Sequence, residues 1–330
     1  MRLRNLLLSN LVIFLHTSIA SSQDEPSETP AADNEGYLSD EERYHNAYGY
    51  LQGFTRNLDN LFSNEKYLEE PADARLRLRG GFESSKEDGL SLRQSVNLQM
   101  TLPQLSRRFR LFVESLSKDD VSNSGATTIK TDQPIQASGS RVGGRYDLID
   151  KNNFLVYWAN GVRFHGGPQF FSEIRARYEN ALSDNLLWRP TQFLFYRYQN
   201  GGIGETTRND FDYVLDDKYL FRTRTELTRA EDFEGLPFSH ELSLFKNIED
   251  VIGLGAKARV DSYTQDSRAL TDYLLQLTYR QRIKHSWFIL EFSPFVKFQE
   301  EHDFSTNPGM LVLAEIQLDR FAGKEHVEPK

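Results

Sequence analysis

Leu90-Ser91-Leu92-Arg93-Gln94-Ser95-Val96-Asn97-Leu98-Gln99-Met100-Thr101-Leu102 alternates for thirteen residues. The even positions are apolar except Gln94, and the odd positions are all polar. Successive side chains of a strand point to opposite faces, so a period of two that long predicts one strand between two different media. A soluble strand averages five or six residues, and a tilted strand that crosses a bilayer needs nine to eleven.

The same alternation recurs on both sides of this stretch. Leu76 and Leu78 stand against Arg75, Arg77 and Arg79, and Tyr146 and Leu148 against Arg145 and Asp147. Ile174, Ala176 and Tyr178 stand against Glu173, Arg175 and Arg177, and Leu275 and Leu277 against Gln276. Fourteen such segments lie between residues 74 and 320, most of them ten to fourteen residues long. Alternate links, such as 150–153, 183–185 and 284–286, are short and polar. Those between them are mostly longer, the longest being 118–139. Short turns on one side and long loops on the other are a feature of outer-membrane barrels, with the short turns in the periplasm. The expected fold is all-β: a transmembrane antiparallel up-and-down β-barrel of about fourteen strands, or twelve, preceded by a short amphipathic helix. An even strand number places both termini in the periplasm.

Composition fits this reading. The chain is 38% apolar and 12% aromatic, with 23 Phe and 15 Tyr, as expected where every second strand residue meets lipid. It has no cysteine, which excludes disulfide, thiolate-metal and cysteine-nucleophile chemistry. A net charge of −9 argues against nucleic acid as a partner.

Five regions are expected. Residues 1–20 read as a signal peptide: Arg2 and Arg4, then the apolar run Leu6–Leu15, then Ser18-Ile19-Ala20 as a cleavage signal. Residues 21–38 are an acidic, Pro-containing tail of disordered composition. Residues 39–70 hold a periplasmic amphipathic helix, with Ser39 and Glu42 as a capping box and Tyr48, Leu51, Phe54, Leu58, Leu61 and Phe62 at helical spacing. The barrel occupies 71–321 and a short tail 322–330. The helix has two readings. It packs on the rim of its own barrel, or it serves as a plug or as a site for an envelope partner. The acids between Asp24 and Glu42 add a further reading, in which the tail enters a basic lumen and gates it.

The helix end Asn57-Leu58-Asp59-Asn60-Leu61-Phe62, the run Ala74-Arg75-Leu76-Arg77-Leu78-Arg79, Leu90-Ser91-Leu92 and Leu102-Pro103 together resemble a group of uncharacterised proteobacterial outer-membrane β-barrel proteins. The likeness covers mainly residues 57–114. It implies location and fold, and it implies no activity.

The inward parity carries nineteen arginines against eleven carboxylates. Candidates for the lumen wall are Arg75, Arg77, Arg79, Arg93, Arg108, Arg110, Arg141, Arg145, Arg175, Arg177, Glu114 and Glu173. Rings of arginine select anions, whereas arginines matched to carboxylates close a lumen with salt bridges. The first expectation is therefore a porin-like channel for small solutes, anions included, in the outer membrane of a Gram-negative bacterium. The alternative is a non-conducting structural or interaction barrel whose periplasmic helix binds an envelope partner. Other expected partners are outer-membrane lipid, lipopolysaccharide and the barrel-assembly machinery during insertion. No cofactor and no metal site is expected. An enzyme is not expected either: His165, His240, His285 and His302 stand in no nucleophile context, and the adjacent Ser239 and His240 should face opposite ways.

Overall fold

The computed structural model describes residues 48–55, 62, 74–101, 108–116, 139–151, 153–164, 167–198, 202–231, 235–249, 251–265, 268–283 and 287–320. The expected signal peptide, acidic tail and C-terminal tail lie outside them, as do Phe321 and residues 117–138.

Fifteen hydrogen-bonded strands follow in chain order: β1 Ala74–Ser85, β2 Gly89–Thr101, β3 Phe109–Leu116, β4 Gly139–Lys151, β5 Phe154–Phe164, β6 Pro168–Tyr178, β7 Asn180–Ser183, β8 Leu186–Arg197, β9 Ile203–Val214, β10 Tyr219–Ala230, β11 Phe238–Glu249, β12 Ile252–Gln265, β13 Arg268–Arg282, β14 Phe288–Gln299 and β15 Thr306–Arg320. Each pairs antiparallel with its sequence neighbour except β6 and β7, which both pair with β8, and β1 pairs with β15, so the sheet closes on itself. Closure leaves no open edge, and the backbone polar groups are satisfied from strand to strand.

β6 and β7 form one barrel strand, which makes the total fourteen. Both pair with β8 in a common register: Arg177 faces Thr191, and Asn180 faces Trp188. The positions between them oppose Arg189 and Pro190. Proline has no backbone N–H to give the ladder, so the bonding lapses beside Pro190 on that side. On its other side β8 runs through unbroken, and Pro190 pairs with Asn209. A proline in a strand is expected to interrupt the strand that carries it. The interruption falls on the neighbouring strand instead.

Two links at the long-loop end are short. β12 and β13 extend until only residues 266–267 separate them. β15 begins at Thr306, so Pro308 lies in a strand opposite Val296 rather than in a loop.

The outer surface is apolar. Leu92, Val96, Met100, Leu111, Val142, Trp158, Phe170, Leu254, Leu275, Leu277 and Phe292 are exposed, with Leu277 at 61%. The inner positions of the same strands are buried and largely charged: Arg75, Arg77, Arg110, Arg145, Asp147, Arg208 and Asp212. This is the inverse of a soluble fold, and lipid contact is the environment in which an apolar exterior of this kind is stable. Within β11, the adjacent Leu244 and Phe245 fall on opposite faces, with Leu242 and Leu244 outward and Phe245 inward.

Candidate functional site

The barrel interior is where the polar chemistry collects. On the wall formed by β8, β9 and β10, Asp212 accepts hydrogen bonds from Arg189 at 2.6 Å and from Arg222 at 2.6 Å. Next to it Arg224 donates to Asp210 at 2.6 Å and Arg208 to Glu226 at 2.8 Å. These groups stand on directly opposed positions, Arg222 against Asp212 and Arg224 against Asp210. Strand register therefore brings Arg222, Arg224 and Arg208 to their carboxylates, while Arg189, opposite Asp210, reaches diagonally to Asp212.

The sequence candidates take the following positions. Arg75 and Arg77 are buried on β1. Arg79 binds Glu315 at 2.8 Å. Arg93 binds Glu83, which also receives Lys297 at 2.7 Å. Arg110 and Arg145 share Asp147, at 2.9 and 2.7 Å. Arg141 pairs with Glu114 and lies 3.7 Å from Glu173. Arg175 lies over the rings of Phe193 and Tyr157. Arg177 is 3.3 Å from Glu179. Arg108 differs from the rest: it is exposed in the turn that enters β3.

Four interior charges were missed by the parity count. Lys257 and Lys297 add cations and Glu241 and Glu315 add carboxylates, which cancel, so with Arg108 outside the interior the inward surplus of positive charge falls by one. Glu315 is the more informative. It receives both Arg79 and Arg280, at 2.8 and 2.7 Å, across the seam that joins the last strand to the first. Its alternation was legible in sequence, but its partner lay at the other end of the barrel.

Inward aromatics lie flat over inward glycines of the next strand. A Cβ on Gly143 would strike the Phe112 ring, on Gly204 the Phe195 ring, and on Gly309 the Phe295 ring. Each glycine leaves a flat patch of backbone that the ring covers. Phe112, Tyr157 and Ala159 form one buried cluster in this way, and Phe295, Leu311 and Leu313 another. The interior is thus mixed, with guanidiniums stacked on rings: Arg145 lies 3.9 Å over Tyr157.

Residues 48–55 are helical, as expected, but they do more than rest on the rim. Leu51 and Phe62 are buried with Ala181, Leu187, Val214 and Leu220, all interior positions beside the short turns. Tyr48, Phe54 and Phe245 pack around them. Gln52 donates to Glu179 at 2.9 Å, and Arg280 donates to the Phe62 carbonyl at 3.1 Å. Phe62 lies 4.7 Å from the Phe245 ring and also meets Gly255. These segments therefore occupy the mouth at the short-turn end.

The interior is not uniformly dry. Asp212 is fully buried, whereas the side chains of Lys257 and Asp261 on β12 are 35% and 33% exposed. Inward positions on β11, β12 and β13 are mostly half-buried, so a wetter strip runs along that wall. Phe62 stands at its short-turn end, over β11 and β12.

The histidines form no catalytic arrangement among the described residues. His240 faces outward, its ring Nδ1 2.9 Å from Thr225, while Ser239 is on the opposite face. His302 ends a short 3-10 turn before Asp303, whose φ is 51°. His165 and His285 lie outside the described residues.

No family model matches the chain, and no curated protein matches it. Solved structures of similar fold include OmpT, an outer membrane protein of Vibrio cholerae (10% identity over 75% of this chain and 97% of that one, TM-score 0.46). The KdgM porin is another (8% identity, 73% and 98% coverage, TM-score 0.38). OprD of Pseudomonas aeruginosa is a third (8% identity, 75% and 95% coverage, TM-score 0.42). The likeness is one of fold alone.

Proposed function

We propose that this chain is a bacterial outer-membrane barrel that acts as a porin-like channel for small solutes, anions included, and that it has no enzymatic role. Both termini are then periplasmic, and the short-turn mouth faces the periplasm. The observation that carries the reading is the wetter strip on β11–β13, where Lys257 and Arg259 stand inside a barrel with a surplus of inward cations. Lys257 and Arg259 are matched there by Glu241 and Asp261, and it is the surplus of inward cations over the whole interior that favours anions over cations in a confined passage. The segments holding Leu51 and Phe62 close one mouth of that passage, so the resting conductance is low.

The test is conductance in a planar bilayer under a salt gradient. The intact chain should give small, anion-preferring currents. Removal of residues 48–62 should enlarge them, and Lys257→Glu should reduce the anion preference. Absence of current from both the intact and the shortened chain, each shown folded by its heat-modifiable gel mobility, would rule the channel out.

One observation favours a second reading. The pairs around Asp212 and Arg208 are fully desolvated, as in a barrel filled for rigidity. The chain would then be a non-conducting scaffold that meets an envelope partner through residues 39–62. Silent bilayers together with a folded barrel are its expected outcome.

A further inference from the structure

The outward faces of most strands are apolar, and one is not. Outward positions of β12 read Leu254, Ala256, Ala258 and Val260, and those of β14 read Leu290, Phe292, Pro294 and Val296. On β9 the three outward positions in mid-strand are Glu205, Thr207 and Asn209. Register sets Gln192 of β8 against Thr207, and Thr225 of β10 against Asn209 on one side and His240 of β11 on the other. Thr223 is the next outward position of β10.

This polar patch lies at membrane depth. Tyr213 and Tyr219 stand outward at the short-turn ends of β9 and β10, and Tyr196 stands outward at the long-loop end of β8. The patch falls between these two levels of aromatic side chains, which mark the membrane interfaces of such barrels. Apolar residues also flank it along the strands: Trp188 and Leu194 around Gln192, and Phe221 and Leu227 around Thr223 and Thr225.

The barrel satisfies the patch only in part. Thr207 donates to Gln192 at 2.7 Å, and Gln192 donates to Glu205 at 3.5 Å. Trp188 donates to Asn209 Oδ1 at 3.3 Å, and Thr225 Oγ1 lies 2.9 Å from His240 Nδ1. Among the described residues nothing accepts from the Asn209 Nδ2–H groups, and nothing bonds the Thr223 hydroxyl. Lipid tails offer neither donors nor acceptors, so such groups are costly against them. Where a second protein surface covers them, the same groups hold the two surfaces together.

We propose that the outward face of β8–β11 is where two copies of this chain pack side by side in the membrane. The chemistry favours a copy over a different protein. Amides and hydroxyls each donate and accept, so a face built from them complements itself when turned about a two-fold axis. Both copies are inserted the same way, so that axis runs along the membrane normal, with β9 nearest to it. The one carboxylate of the patch, Glu205, stands opposite Arg229 in register, so the face carries little net charge to repel its copy. The inference goes beyond the channel reading. It needs the bilayer location and does not depend on whether the lumen conducts.

The experiment uses the purified full-length protein in lipid vesicles at low protein content. The chain has no cysteine, so single substitutions report single positions. Asn209→Cys treated with a short bifunctional maleimide should give a covalent dimer. Val96→Cys, outward on β2, should give none. The double variant Asn209→Leu with Thr223→Val should fold like the parent by heat-modifiable mobility. It should raise the dimer dissociation constant at least about tenfold, because symmetry removes each bond twice. As a monomer it should unfold no earlier than the parent, since two unsatisfied groups no longer meet lipid. Equal cross-linking at both positions would mean random collision and would overturn the interface. A parent that stays monomeric in vesicles would do the same, even if this face captured a different envelope protein in cells. A sedimentation mass above that of two copies would overturn the two-fold arrangement.

Discussion

At the scale of single residues the interior is decided by desolvation. Asp212 is fully buried between Arg189 and Arg222, whose guanidiniums balance its charge. Asp212→Asn keeps the shape and removes the charge, which leaves two buried cations facing a neutral amide. Breaking a buried pair costs about 3–5 kcal/mol, and that loss should appear in chemical unfolding of the detergent-solubilised protein. Asp261 bonds Arg259 at 2.7 Å but is one-third exposed, so Asp261→Asn should cost less than about 1 kcal/mol. Equal costs would mean that the two walls are equally wet and that no preferred strip exists. Parity in the sequence was enough to place both carboxylates inside, because alternation is a local property. It could not distinguish them, because burial depends on what stands across the barrel.

At the scale of elements the strands were legible and the plug was not. A strand with lipid on one side and charge on the other writes its period into consecutive residues, so fourteen segments could be read before any fold was known. The amphipathic pattern of residues 39–62 says only that one face is covered. Leu51, Phe54 and Phe62 look the same whether they pack on an outer rim or on Leu187, Leu220 and Phe245 inside. What decides the matter is a patch of apolar inward positions at the short-turn end, on strands whose interior is otherwise charged. Leu187, Val214 and Leu220 break the expected polar parity there, and that break was the available signal. The chain has no cysteine, so single substitutions can report the helix cleanly. Tyr50→Cys, on the exposed side of the helix, should react quickly with a maleimide added to the folded protein, and Leu51→Cys should react slowly. Similar rates at both positions would mean that the helix does not reside in the mouth in solution.

At the scale of the whole molecule, the exterior and interior pose opposite problems, and the barrel solves both with one alternation. The outer belt of Leu, Val, Phe and Tyr is favourable only where it meets lipid, and the arginines are tolerable only where carboxylates, rings and some water meet them. Leu277 tests the outer half. It lies in the middle of β13, opposite Ala256, with most of its side chain exposed. A charge there has no partner in hydrocarbon, and Leu277→Arg should cost about 2–4 kcal/mol near the bilayer midplane. In detergent micelles the guanidinium reaches water more readily by snorkelling along its own stem, so the same substitution should fold there almost normally. The prediction is therefore a difference between two media: impaired folding into lipid vesicles, read by heat-modifiable gel mobility, against near-parental folding in micelles. Equal folding in both would show that the apolar face of β13 is not set in a bilayer, and with it would fall the location on which the channel reading depends.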